Sequence, residues 1–241
     1  MSKSGLPNVT DRASWQAELD ALRLREKAHT RAGDALAAAR RRLSMVEVDA
    51  TIPLVGENGR VPLLAAFEGR GQLIAYFHMW HAGHDSAGQC EGCTYFNGQV
   101  RELSVLHSRD VTYATLCQGP YEPSVRYRNF MQWDVPWYSA QDSLQALLGD
   151  RPTAPSPLVF YVRDGNRVFE TYWTSGRGLE PLAPSYGLLD RTVFGRREGW
   201  EDQPEGRPEP MWPDDVNPMR INGRPIAQWS RIAAGRDDTL A

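Results

Sequence analysis

Residues 73–109, LIAYFHMWHAGHDSAGQCEGCTYFNGQVRELSVLHSR, decide how the rest of the chain reads. Leu73, Ile74, Ala75, Tyr76 and Phe77 form a short continuous apolar run, the pattern of a central strand covered on both faces. A polar loop leads to Cys90-Glu91-Gly92-Cys93, and beyond it Phe96, Val100, Leu103 and Leu106 recur at spacings that line one side of a helix. The predicted order is strand, loop, dithiol, helix, with both cysteines in the helix's first turn. Unpaired backbone N–H groups and the helix dipole favour thiolate over thiol there. Cys90 is therefore the expected nucleophile, and Cys93 can close a disulfide by attacking a mixed disulfide formed at Cys90. The Glu91 carboxylate works against the thiolate if it lies close, although it suits the helix start.

On the C-terminal side, Val111 to Cys117 is a second mostly apolar run, so a βαβ unit carries the cysteines. A right-handed crossover brings Cys117 to the same sheet edge as Cys90, where it reads as a buried small hydrophobe or a third thiol. Glu122 to Trp133 and Asp142 to Leu148 read as helices, the latter ended by Gly149. After Pro152, Pro155 and Pro157, Leu158 to Val162 and Val168 to Tyr172 form the clearest hairpin, turning at Asp164-Gly165. Leu179 to Leu189 reads as a final helix with a start blurred by Pro181 and Pro184.

On the N-terminal side, a hairpin turning at Asn58-Gly59 and a helical turn at Leu63 to Phe67 precede the central run, and Val46 to Asp49 reads as a strand. Trp15, Leu19 and Leu22 fall at helical spacing behind Thr10 and Asp11, either of which can cap a helix. Thr30 to Arg42 continues it or forms a second helix, with Gly33 as a weak point. This arm packs on the core or on another subunit, which admits a homodimer. The expected divisions are a helical extension at 1–45, a domain at 46–200 and a Pro-rich tail at 201–241. That tail is either disordered or laid on the surface by Met211, Trp212 and Trp229.

The 241 residues, 41% hydrophobic and 24% charged, suit a folded domain with a sizeable core. A net charge of -3 without a long basic block gives no footprint for nucleic acid, and Arg40-Arg41-Arg42 reads as a helix end. No signal-peptide core follows Met1, and no run is long enough to span a bilayer, so a cytoplasmic protein without membrane contact is expected. Three cysteines in a reducing compartment point to a working dithiol rather than a structural bridge.

A β-α-β unit with C-x-x-C at the helix start, followed by a helix and by proline ahead of a hairpin, is similar to the thioredoxin fold. Leu64 to Arg70, Gln72 to Tyr76, Cys90 to Thr94 and Ser175-Gly176-Arg177-Gly178 further resemble a bacterial family of unknown function described as predicted dithiol-disulfide oxidoreductases. Asp34 to Ala38, Arg40 to Leu43 and Tyr186 to Asp190 match it too, so the resemblance runs from Trp15 to about Trp200. It implies an α/β, thioredoxin-like three-layer sandwich with a central mixed sheet, an N-terminal helical extension and an irregular tail. It also implies Cys90 and Cys93 as the redox pair and a substrate-facing cis-proline, at Pro157 by position or at Pro155 as second choice. Gln89 stands where thioredoxins carry tryptophan, and Glu91-Gly92 where they carry Gly-Pro.

Three rival readings accompany this one. His78, His81 and His84 with the two cysteines offer enough nitrogen and sulfur ligands for zinc, although one histidine could instead serve the thiols as acid or base. A peroxiredoxin requires threonine and proline where Ala87 and Gly83 stand, which counts against it. A non-catalytic module would use exposed tryptophans as an interface. The leading expectation is a thiol-disulfide oxidoreductase that needs no dissociable cofactor and no metal, and exchanges electrons with a protein or small-molecule thiol or disulfide.

Overall fold

The run at 73–77 lies in strand β4 (Gln72–His78), and its unbroken apolarity follows from cover on both faces. Leu73, Ala75 and Phe77 enter a core with Leu54, Phe67, Leu116 and Val159. Tyr76, on the opposite face, enters a second core with Tyr113, Tyr127, Trp133 and Trp137. This is a computed structural model that describes residues 5–149, 151, 155–211, 217 and 219–233.

β4 pairs in parallel with β5 (Val111–Cys117), from Gln72↔Val111 to His78↔Cys117. On its other side it pairs antiparallel with β7 (Leu158–Asp164), which pairs antiparallel with β8 (Arg167–Thr174). Outer strands β1 (Val46–Val48), β2 (Pro53–Gly56), β3 (Gly59–Pro62) and β6 (Trp137–Ser139) complete the order β1-β8-β7-β4-β5-β6-β2-β3. Helix α2 (Glu91–Gln99) crosses from β4 to β5, and α4 (Tyr121–Met131) follows β5, both against the tyrosine- and tryptophan-rich core. The 3-10 turn Leu63–Phe67 and α5 (Leu144–Leu148) cover the opposite face. Three layers around the inner strands β5-β4-β7-β8 make a thioredoxin-like α/β fold with a central mixed sheet.

The arm is one helix, α1 (Arg12–Arg40), capped by the Asp11 carboxylate, which accepts from the Ala13 and Ser14 N–H groups at 2.9 and 3.0 Å. Thr30 to Arg40 continues it through Gly33, and none of its residues is buried. No helix among the described residues is long and apolar enough to cross a membrane.

Several expectations need correction. The hairpin at 53–62 turns on Glu57-Asn58, with Gly59 at φ +91 supplying the left-handed residue after the turn. The helix after the dithiol is broken: α2 ends at Gln99, and α3 (Ser104–His107) starts afresh. The Arg101 guanidinium holds the break, donating to the carbonyls of Gly98 at 3.0 Å and Gln132 at 2.8 Å. Phe96, Val100, Leu103 and Leu106 nevertheless pack on the same core, so the apolar stripe is real and its continuity is not. Residues 176–189 likewise split into a 3-10 turn (Gly176–Leu182) and α6 (Pro184–Leu189). Beyond the prolines, β9 (Arg220–Ile221) and β10 (Arg224–Pro225) form a hairpin through Asn222 and Gly223, at φ +52 and +77, and lead into α7 (Ile226–Ala233). Met211 is exposed, Trp229 lies under the Arg224 guanidinium at 4.6 Å, and Pro152 and Trp212 lie outside the described residues.

Candidate active site

The polar loop after β4 is buckled shut by one buried side chain. The Gln89 amide nitrogen donates to the carbonyls of His81 and His84, each at 3.0 Å, and its oxygen accepts from the His81 N–H at 3.0 Å. Asp85 caps the 3-10 turn Ser86–Gly88 through the Gly88 N–H at 2.8 Å. At Gly88 a Cβ would stand 2.8 Å from His84 Nδ1, which explains the glycine. Gln89 thus fastens the loop that leads into the helix.

Cys90 is the N-cap of α2, and its sulfur accepts the Cys93 N–H at 3.3 Å. Thr94 secures this turn, donating to the Cys90 carbonyl at 2.8 Å and meeting the Tyr127 hydroxyl at 2.6 Å. The cysteines therefore lie together in one helical turn, Cys90 partly exposed and Cys93 buried. Their chemistry diverges accordingly. Hydrogen bonding from the Cys93 thiol lowers Cys90 to about 7 against the opposing effect of burial, with help from the Cys93 N–H and His81. Burial foremost, then the bond to Cys90 and its charge, pushes Cys93 well up. Glu91 opposes the Cys90 thiolate only weakly, and Arg220 pairs with it through two guanidinium nitrogens, Nε at 2.6 Å.

The histidines and the sulfurs do not form a metal site. Among the described residues no group of three or more His, Cys, Asp or Glu side chains could hold a metal ion. His78 is buried with Nδ1 at 2.6 Å from the Met79 carbonyl and its ring 5.5 Å from that of Trp137. Burial lowers it to about 4, so it is neutral at pH 7, and its Nε2 has no hydrogen-bond partner among the described residues. His81 Nδ1 is engaged by the Gly88 carbonyl at 2.9 Å. Cys117 lies at the end of β5, buried, with its thiol raised to about 11 by that burial.

The cis geometry expected at Pro157 does not occur, since no cis peptide bond is found among the described residues. Pro157 is buried, and its carbonyl accepts the Phe77 N–H at 2.9 Å, extending the β4–β7 ladder. Its neighbours Pro155 and Ser156 face the dithiol instead, across a cavity of about 560 Å³ that Cys90, Gly92 and Cys93 also line. Further wall is supplied by Tyr186, Arg196, Trp200 and Met219, none of which the sequence reading singled out for the site. A larger cavity of about 730 Å³, beside β1 and α5, contains no cysteine or histidine.

The C-terminal segment completes the site. α7 packs on α2, on α4 and on the turn at 86–88. From it Gln228, fully buried, donates to the Gln89 carbonyl at 3.0 Å.

Fold and site together define a thioredoxin-like α/β protein with a cysteine pair at a helix N-terminus. The chain belongs to the family of bacterial proteins of unknown function designated DUF899, whose model matches residues 4–217. No curated protein matches the sequence. Among solved structures, the chain is similar to a Chlorobium tepidum protein described as thiol:disulfide interchange protein DsbE. The two share 12% identity at a TM-score of 0.39, over 58% of this chain and 95% of that one.

Proposed function

We propose that the protein is a thiol-disulfide oxidoreductase of the bacterial cytoplasm. The observation that carries this reading is the 3.3 Å contact from the Cys93 N–H to the Cys90 sulfur in the first turn of α2. That contact, with the thiol beside it, supports a thiolate at neutral pH on the partly exposed member of the pair. An attacking thiol is most effective when its pKa lies near the ambient pH.

In the reducing direction, the Cys90 thiolate attacks one sulfur of a substrate disulfide, and the other sulfur leaves as thiolate. Cys93 loses its proton and attacks Cys90, releasing the second substrate thiolate and leaving a Cys90–Cys93 disulfide. Two electrons have then passed from the protein to the substrate, and an external thiol returns them. Pro157 serves by holding the chain segment that carries Pro155 and Ser156 against the cavity. The partner is a thiol or disulfide, not nucleic acid or membrane.

With dithiothreitol as electron source, Cys90→Ser abolishes disulfide reduction, and Cys93→Ser accumulates mixed disulfides detectable by mass spectrometry. Equal turnover by both variants and the unsubstituted protein would overturn the reading.

A further inference from the structure

We propose that the substrate of this dithiol is a low-molecular-weight disulfide with an uncharged aromatic or aliphatic body, bound in the cavity against Trp200, and not a disulfide presented on a folded protein. The proposal rests on the redox reading above and adds the class of molecule that reaches the sulfurs.

Size is the first argument. The cysteines line a half-open recess of about 560 Å³, within the roughly 300–1,000 Å³ range of small-molecule sites. Its walls come from the 3-10 turn at 176–182, from α6, from residues 196–200 and from Met219 of the C-terminal segment. A recess walled by that many elements matches a compact molecule better than the convex surface of a folded partner.

The second argument is how the charged residues of the wall are used. Arg196, with only 5% of its side chain exposed, donates twice to Asp190 at 2.7 Å and twice to Glu180 at 3.2 and 3.1 Å. Arg177 donates to the same Glu180 at 2.6 Å. Arg196 is thus fully matched by carboxylates, while Arg177 commits its Nε to Glu180, and the carboxylates of Glu180, Asp190 and Glu198 outnumber the two guanidiniums, which disfavours an anionic ligand. What they hold is aromatic. Arg196 lies 4.2 Å from the Tyr186 ring centre, and Arg177 lies 4.2 Å from that of Trp200, whose indole N–H is anchored on Glu198 at 2.5 Å.

Trp200 is half exposed although held by a hydrogen bond and a cation, and it lines the cavity with Met79, Phe96, Leu179 and Met219. A rigid aromatic plate facing thioethers and a second ring selects for apolar surface at low ordering cost. In the reaction, one half of the disulfide bonds to Cys90 while the other leaves as thiolate. Attack by Cys93 on Cys90 then frees the retained half, so one dithiol and one substrate disulfide become one protein disulfide and two small thiols. A small external dithiol restores Cys90 and Cys93.

The test compares three probes under dithiothreitol: the symmetric disulfide of N-acetyl-Cys-Phe-amide, its Cys-Glu counterpart, and insulin. The Phe probe is expected to give a kcat/KM at least about tenfold above either alternative. Trp200→Ala should raise its KM about tenfold with kcat nearly unchanged, and Trp200→Phe should restore most of the loss. Binding of the same probe to a Cys90→Ser/Cys93→Ser protein, followed by tryptophan fluorescence, should show the same preference without any redox step. Insulin reduced as well as the Phe probe, or binding indifferent to Trp200→Ala, would overturn the substrate class while leaving the redox reading intact. Selective binding by the doubly substituted protein, with no turnover of any probe by the native protein, would uphold the cavity assignment and defeat the redox reading.

Discussion

The side-chain amide of Gln228 donates to the backbone carbonyl of Gln89 at 3.0 Å, across 139 residues of chain, with both side chains fully buried. The residue preceding the nucleophile is thus held from within by its own side chain and from outside by the C-terminal helix. Gln228→Ala leaves a buried carbonyl without its donor and should cost about 1–3 kcal/mol. Urea denaturation measures the loss, and limited proteolysis should show cleavage near residues 217–225 before the domain itself is cut.

Cys90 at about 7 sets the pH dependence of its reactivity. Alkylation by iodoacetamide should rise with pH through a midpoint near 7 and level off above it, because only the thiolate reacts. Cys93→Ala removes the largest cause of the depression and should move the midpoint upward. At pH 8 the native, reduced protein should be modified at Cys90 alone, since Cys93 and Cys117 are buried with raised thiols. Peptide mass mapping reads the sites.

His78 makes the fold sensitive to acid. Its folded value of about 4 lies below its ordinary value of 6.5, so the unfolded chain binds a proton at a pH where the native state does not. This penalty is absent above about pH 6.5, grows as pH falls, and reaches its full size, on the order of 3 kcal/mol, below about pH 4. Denaturant midpoints from pH 7 to pH 4 should fall accordingly, and the His78→Phe variant should show a shallower decline.

Arg196 is the fastener of the cavity wall. Arg196→Met separates Glu180 and Asp190 from their shared cation and should cost about 1–3 kcal/mol, moderated because both carboxylates are partly solvated. Glu180, hydrogen-bonded to Arg196, lies below its usual value of 4.5. Its contribution is therefore present above that value and lost as pH falls through the lowered one. Thermal unfolding at pH 7 and at pH 3 should show a smaller difference between variant and native protein at the lower pH.

The sequence revealed the elements whose cause is local. The apolar runs of β4 and β5 and the thiols between them are legible because a strand covered on both faces needs no polar residue, and because Cys90 and Cys93 require only one helical turn. The break after Gln99 is not legible, because it is fixed by a bond from Arg101 to Gln132, far along the chain. A stripe through Phe96, Val100, Leu103 and Leu106 serves one helix or two equally well. Pro157 precedes β7 as expected, yet its carbonyl is committed to Phe77, so Pro155 and Ser156 line the cavity. α7 is hidden by the prolines before it, which read as a segment without regular structure. The pairing of Arg177 and Arg196 with Trp200 and Tyr186 has no spacing signature, since it joins a 3-10 turn, a short helix and a loop only in the folded chain.

The late position of Gln228 in the chain bears on biosynthesis. At about 5–20 residues per second, the ribosome needs on the order of ten seconds to reach it after delivering Gln89. During that interval the residue ahead of the dithiol lacks the Gln228 bond, and a chain ended before residue 228 never gains it. Synthesis through Gln228 is therefore the step that completes the surroundings of the reactive sulfurs.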